Sequence, residues 1–390
     1  MKITFYSNYL THHQIPFCNE MYRILQENFT FVATSSMETW RIKQGWETKD
    51  DYPYVLQTEK SKEAYQEALR LARESDVVII GAAPELFVKE RMQNNTTGIT
   101  LRCSERLYKR GTWRFLSPRG WLRRIDTYYR YSNRKLYMLC ASAYTSGDLM
   151  LQGAYPGKCY KWGYFPKTIP YNVDELMAGK QRGKVKILWC GRFIGLKHPE
   201  AAVLVAARLK KEGYDFELNM IGSGVEKKQI KAMIAEHKLE AYVKLLGAKS
   251  PEQVRLYMHE ANIFLFTSDF QEGWGAVVNE AMNSGCAVIA SHAPGAVPYL
   301  INDFVNGLIY KNGDQDSLYF KVNLLLAKKE LCESLGRKAY YSIVKIWNAQ
   351  IAAERLLLLI EDLNRTGKSN QFQNGLCSKA EIIKNDWYKE

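Results

Sequence analysis

Apolar positions along this 390-residue chain gather into short buried-looking runs, each followed by a stretch whose apolar residues recur with helical period. Lys2 to Ser7, Phe29 to Ala33, Val77 to Gly81, Ile99 to Leu101 and Leu136 to Ser142 read as strands. Helical patterns over Ile15 to Leu25, Lys62 to Glu74 and Pro84 to Gln93 separate them, the first with Ile15, Phe17, Met21, Ile24 and Leu25 at its apolar positions. The polar, glycine-bearing stretch Ala178 to Lys184 then reads as a linker. A second series follows, with strands at Val185 to Cys190, Phe216 to Ile221, Val243 to Leu246, Ile263 to Phe266 and Ala287 to Ala290, each before a helical pattern. Such alternation predicts α/β architecture with parallel, doubly wound sheets in two domains, 1–180 and 184–346. Trp347 to Leu363 is predicted as a last helix. The tail Asn364 to Glu390 is polar, yet Phe372, Leu376, Ile382, Ile383 and Trp387 predict that it docks on the first domain.

Length allows two separate cores. No apolar run approaches the roughly 20 residues of a membrane span, and the opening Met-Lys-Ile-Thr-Phe-Tyr-Ser-Asn turns polar too soon for a signal peptide. The expected location is cytoplasmic. Cysteines 18, 103, 140, 159, 190, 286, 332 and 377 form no C-x-x-C pair and mostly lie inside apolar runs, so reduced thiols are expected and neither zinc nor disulfides.

The net charge of +13 is unevenly spread. Between Arg102 and Lys135 eleven Lys and Arg residues stand against only Glu105 and Asp126, interleaved with Tyr108, Trp113, Phe115, Trp121, Tyr128, Tyr129 and Tyr131. Basic residues mixed with Trp and Tyr suit an anionic membrane surface or a polyanionic ligand, which predicts peripheral contact with the inner face of a membrane.

The most informative chemistry lies between Phe264 and Gly285, where an apolar strand breaks into a glycine-flanked turn and an amphipathic helix. Glu272 falls on the loop, and Glu280 is expected about two turns along the helix. Glycines at 273 and 275 let backbone N–H groups approach a bound group closely. A helix start attracts phosphate, while carboxylates accept hydrogen bonds from neutral hydroxyls. A phosphorylated sugar satisfies both.

The Glu-x7-Glu spacing, with Gly-Trp-Gly after the first Glu, resembles the donor-site motif of retaining glycosyltransferase family 4. Cys-Gly-Arg-Phe-Ile-Gly-Leu-Lys at 190–197 is similar to that family's Gly-Arg…Lys pair, Ile-Gly-Ser-Gly at 221–224 to its next strand-to-helix turn, and Ala-Val-Ile-Ala-Ser at 287–291 to the strand beyond. The order matches throughout 185–327. This resemblance, to members of the bacterial surface-polysaccharide type, implies the GT-B fold: two Rossmann-like domains facing a cleft, with the C-terminal helix crossing back to the first. It also implies a retaining transfer of sugar from a UDP- or GDP-sugar to a lipid-linked glycan acceptor. In that reading Arg192 and Lys197 bind the diphosphate. Glu272 holds donor-sugar hydroxyls with the backbone of Gly273, Trp274, Gly275, Ala276 and Val277, and Glu280 accepts from the ribose. Gly222, with Gly224, offers a weaker donor contact, since a plain tight turn explains a lone G-x-G nearly as well.

No metal and no cofactor follow from the resemblance, the nucleotide-sugar being substrate. Asp314-Gln315-Asp316 imitates a D-x-D metal motif, but it follows Asn312-Gly313 and opens a helical pattern, so an N-cap explains it better. On the acceptor side, His12 and His13 occupy the loop after the first strand, where either contacts the donor phosphate or acceptor, or caps the next helix. The other four histidines show no partner pattern. Many family members carry a His-rich motif after a later strand of the first domain. Arg102-Cys103-Ser104-Glu105-Arg106 stands there instead, making Arg102 and Glu105 acceptor candidates or partners in a surface ion pair. Two alternatives compete: a nucleotide-sugar epimerase or hydrolase of the same fold, disfavoured by the Glu-x7-Glu spacing, and a nucleic-acid-binding protein. The second has the charge but no recognised motif, so no nucleic-acid partner is expected.

Overall fold

The computed structural model describes residues 1–38 and 51–389, which divide into two compact units. Met1–Lys167 with Asn348–Lys384 forms the first, and Thr168–Trp347 with the residues from Asn385 the second.

In the first unit, β1 (Ile3–Ser7), β2 (Phe29–Ala33), β3 (Val55–Gln57), β4 (Val77–Ile80), β5 (Ile99–Ser104), β6 (Leu136–Cys140) and β7 (Cys159–Lys161) form one sheet in the order β3-β2-β1-β4-β5-β6-β7. Every pairing is parallel, with Ile3 opposite both Phe29 and Val77. All five residues of β1 are buried because helices cover both faces, which is why the strand reads as a continuous run. The helix Lys62–Glu74 starts where the Ser61 hydroxyl accepts from the Ala64 amide at 3.1 Å, and it buries Ala68, Leu71 and Ala72. Strand β5 runs past Leu101 because Arg102, Cys103 and Ser104 stay in register with Met138, Leu139 and Cys140.

The long helix Ala349–Thr366 belongs to this unit, as expected. Asn348 caps its start by accepting from Ile351 at 2.9 Å, Gly367 ends it in the left-handed region, and Leu356, Leu359, Ile360 and Leu363 are buried. Beyond it the tail pairs with β7, Lys161 N–H donating to Ser378 at 2.8 Å and Cys377 N–H to Lys161 at 2.9 Å. The expectation that the whole tail docks on the first domain holds only to Lys384. Tyr388 donates its hydroxyl to the Ile309 carbonyl at 2.7 Å, and the indole of Trp387 donates to the His292 carbonyl at 3.2 Å, both in the second unit.

The second unit has β8 (Val185–Cys190), β9 (Phe216–Ile221), β10 (Val243–Gly247), β11 (Ile263–Phe266), β12 (Ala287–Ser291) and β13 (Leu308–Tyr310) in the order β10-β9-β8-β11-β12-β13, again all parallel. Trp189, Phe193, Leu209, Leu218, Ile230 and Leu265 pack in its core. The predicted linker needs correction here. Ala178 to Lys180 ends the helix Val173–Lys180, and the buried Lys180 ammonium donates to the carbonyls of Met258 at 2.8 Å and Ala261 at 2.5 Å. That anchor puts the segment inside the second unit, so the division falls at Lys167/Thr168 rather than near 180.

Candidate functional site

Strand order in the second unit reverses between β8 and β11, so the loops leaving their C-terminal ends diverge and open a crevice at the sheet edge. The first loop carries Arg192 and Lys197, the second Glu272. The Lys197 ammonium forms an ion pair with the Glu272 carboxylate, each side chain 16% exposed, and lies 6.0 Å from the centre of the Phe266 ring. The loops are stitched together below this pair. Thr267 donates its hydroxyl to the Lys197 carbonyl at 2.6 Å while accepting from the Trp189 indole at 2.8 Å, and the Asp269 amide donates to Leu196 at 2.9 Å. Arg192 is exposed and has no ion pair among the described residues.

Downstream of Glu272 the chain turns sharply. Gly275 has φ +94°, and a Cβ there would stand 2.3 Å from the Phe266 ring, so no larger residue fits. Trp274, expected to meet the donor through its backbone, has its side chain fully buried beneath the turn, the indole donating to Asn279 at 2.9 Å and packing against Tyr299 and Trp347. Only its backbone remains a candidate donor contact. The following helix, Val277–Asn283, has seven residues, so Glu280 lies in its first turn rather than two turns along. The Glu280 carboxyl is pushed up to about 7 by burial, opposed by Arg255, whose guanidinium donates to the Glu280 carbonyl at 2.8 Å. Gly273 and Ala276 are buried within the same turn, and Val277 is partly exposed.

Gly222 is needed for the close approach of two loops. With φ +138°, its missing Cβ would stand 1.8 Å from the Gly191 carbonyl oxygen, so the glycine lets the loops after β8 and β9 close on one another. The D-x-D imitation resolves as read from sequence for its first residue, since Asp314 caps the helix Gln315–Ala327 by accepting from Ser317 at 2.9 Å. Asp316 pairs with Arg208 at 2.6 Å. Among the described residues no group of three His, Cys, Asp or Glu side chains is placed to hold a metal. The eight cysteines are free thiols.

In the first unit the corresponding edge lies between β1 and β4. His12 and His13 sit on the turn after β1 with ring centres 3.8 Å apart, and His13 lies parallel to Tyr164 at 6.4 Å. The N-cap of the helix Ile15–Leu25 is Gln14, so neither histidine takes that role. Arg102 and Glu105 do not pair with each other. Arg102 lies 3.6 Å from Glu85, while Glu105 accepts from Tyr164 at 2.6 Å and pairs with Lys109.

Part of the basic aromatic segment is core. Tyr108, Tyr128 and Tyr131 are buried, Arg106 pairs with Asp148 at 3.5 Å inside the unit, and Arg134 donates to the Met92 and Asn95 carbonyls. Arg124 lies 4.6 Å over the Trp121 ring and donates to the Phe115 carbonyl at 3.2 Å. The side chains of Arg114 and Arg123 lie outside the described residues. Arg110, Arg119 and Arg130 stay exposed, and so do the apolar Trp113 (68%), Leu116 (66%), Trp121 (40%), Leu122 (65%) and Ile125 (43%), the last three on the helix Pro118–Thr127. No helix among the described residues is long and apolar enough to cross a membrane.

Sequence reasoning missed the partners of His198 and His292. His198 approaches Glu200 at 2.8 Å and Asp269 at 3.5 Å. His292 bridges the Asn385 carbonyl and the Asn312 amide. A histidine between a lysine and a helix-starting proline was the available signal for the first; nothing in the local sequence marks the second.

Residues 177–341 match the family model described as glycosyl transferases group 1. The amylovoran biosynthesis glycosyltransferase AmsK of Erwinia amylovora is 35% identical over 139 residues, 34% of each chain. An N-acetylgalactosamine-N,N'-diacetylbacillosaminyl-diphospho-undecaprenol 4-alpha-N-acetylgalactosaminyltransferase of Campylobacter jejuni is 29% identical over 174 residues, 45% of this chain and 46% of that one. The chain thus spans between a third and a half of the length of these curated relatives. The crystal structure of Anabaena HepE in complex with UDP superposes with TM-score 0.68 at 14% identity, covering 93% of this chain and all of that one. That likeness shows the fold, two Rossmann-like domains of the GT-B type. The residues that match the family model, 177–341, contain Arg192, Lys197, Glu272 and Glu280.

Proposed function

We propose that this chain transfers a sugar from a nucleotide-sugar, a UDP-sugar before a GDP-sugar, to a lipid-linked glycan acceptor in cell-surface polysaccharide synthesis. The transfer retains configuration at the anomeric carbon and uses no metal. The observation that carries this reading is the Lys197–Glu272 pair at the β8/β11 switch point, with Arg192 exposed on the same loop and Glu280 one turn into the next helix.

Breaking the bond between sugar and diphosphate builds negative charge on the leaving phosphate and positive charge on the sugar. Arg192 offers a fork of donors and Lys197 a compact charge to the first. Glu272 faces the second and takes sugar hydroxyls, while Glu280 takes the ribose. As the bond breaks, the leaving phosphate oxygen accepts the proton of the incoming hydroxyl on the same face of the sugar, so no protein base is required. His12, His13, Arg102 and Glu105 line the candidate acceptor edge. The lipid-linked acceptor is supported by the undecaprenol in the Campylobacter relative's name and by the exposed apolar residues amid basic charge, which suit peripheral contact with an anionic membrane. UDP is supported by its presence in the HepE crystals.

The test begins with a panel of nucleotide-sugars screened for thermal stabilisation, followed by turnover with the selected donor. Glu272→Gln should lower kcat strongly, and Glu280→Ala should chiefly weaken donor affinity, because ribose is unchanged between ground and transition state. Near-normal kinetics in folded Glu272→Gln protein would remove this site from the account. Turnover should survive EDTA; loss that magnesium or manganese restores would contradict the metal-free mechanism.

A further inference from the structure

We propose that His198 is a positioning residue whose imidazole bridges Glu200 and Asp269, locking the loop that carries Arg192 and Lys197 to the loop that carries Glu272. The inference rests on the donor-site reading above. Its geometry is specific to this side chain. His198 has φ +47°, a left-handed conformation that a side chain with a Cβ rarely adopts and that glycine takes with ease. The residue therefore holds an unfavourable backbone, and its ring does what glycine could not. Nδ1 lies 2.8 Å from Glu200, at the start of the helix Pro199–Lys211, and Nε2 lies 3.5 Å from Asp269, on the loop after β11.

Asp269 is itself braced. It accepts from the Gln271 amide at 2.7 Å and the Gln271 side chain at 3.3 Å, and its carbonyl accepts from the Glu272 amide at 3.1 Å. A shift of Asp269 is thereby passed to Glu272, while a shift of His198 is passed along the chain to Lys197. The two carboxylates, Asp269 first and Glu200 second, raise the imidazole to about 10, so it is a cation throughout the neutral range. Charge on all three members makes the bridge stronger than a neutral hydrogen bond.

The variants His198→Gly and Asp269→Asn separate this role from a backbone one. Glycine relieves the left-handed backbone, and asparagine keeps an oxygen for the Gln271 amide, so both should fold with melting temperatures close to wild type. UDP and GDP are each titrated calorimetrically into wild type, both single variants and the double variant. Either substitution should weaken the binding of the preferred nucleotide about tenfold, and the double variant should be no weaker than the singles, as for two halves of one contact. As a readout that needs no nucleotide, the His198 ring should stay protonated at pH 8 in wild type by NMR and titrate at lower pH in Asp269→Asn. Wild-type affinity in His198→Gly, additive losses in the double variant, or an unchanged ring titration would overturn the inference and leave the donor site standing. Binding of neither nucleotide by wild type would overturn the donor-site reading and this inference with it.

Discussion

Burial pushes the Glu280 carboxyl up to about 7 against the opposing pull of Arg255, so near neutral pH part of the folded population holds it protonated. An unfolded glutamate titrates near about 4.3. Between those values the native state binds the extra proton, so this group's contribution to stability falls as pH rises from about 4 to about 7 and stays low above. Glu280→Gln should therefore raise the melting temperature at pH 8 by roughly 2 to 4 °C and leave it unchanged at pH 4. Calorimetry showing the gain at pH 4 instead would contradict the assigned burial. Arg192→Ala and Lys197→Ala should each cost about 2 to 4 kcal/mol in kcat/KM, the usual loss when a group that meets developing charge is removed. Arg192, Lys197 and Glu280 were legible as candidates in the sequence because type and spacing travel together within one strand-to-helix connection. His198 and Asp269 were not, since their relation exists only where two remote loops meet.

Elements with their own periodic signal were read nearly to the residue, the helices Ile15–Leu25 and Lys62–Glu74 among them. The three-residue edge strands β3, β7 and β13 escaped because so short a run carries no period, and pairing with a neighbour alone defines them. The linker reading failed for a related reason. Ala-Gly-Lys-Gln-Arg-Gly-Lys looks like solvent-exposed chain, yet a lysine stem can be buried if its ammonium finds carbonyls, and Lys180 finds two. Lys180→Ala should cost about 2 to 4 kcal/mol in denaturant unfolding, because the Met258 and Ala261 carbonyls lose their donor away from water. Lys184→Ala, which breaks only an exposed pair with Asp215, should leave the transition unmoved. Equal effects from the two would mean that the helix end at Lys180 is not anchored in the second unit.

Across the whole chain the excess positive charge concentrates in the first unit, between Arg102 and Lys135, and the structure separates that segment into two parts. Its buried tyrosines and braced arginines hold the fold, whereas Trp113, Leu116, Trp121, Leu122 and Ile125 remain in water at an apolar cost. A membrane would relieve that cost and also favour the surrounding arginines, each by about 1 kcal/mol near an anionic surface. Substituting Arg124 would test this poorly, since its guanidinium also holds Phe115 and covers Trp121. Replacing Leu116, Leu122 and Ile125 together by Ser removes exposed apolar area and leaves the Arg124–Trp121 contact in place. Wild type should co-sediment with vesicles containing phosphatidylglycerol at low salt, less so as salt rises and screens the charge. The triple variant should bind at least tenfold more weakly, because three side chains no longer enter the interface. Equal binding by both, or none by wild type at low salt, would sink the membrane contact while leaving the chemistry at Lys197 and Glu272 untouched.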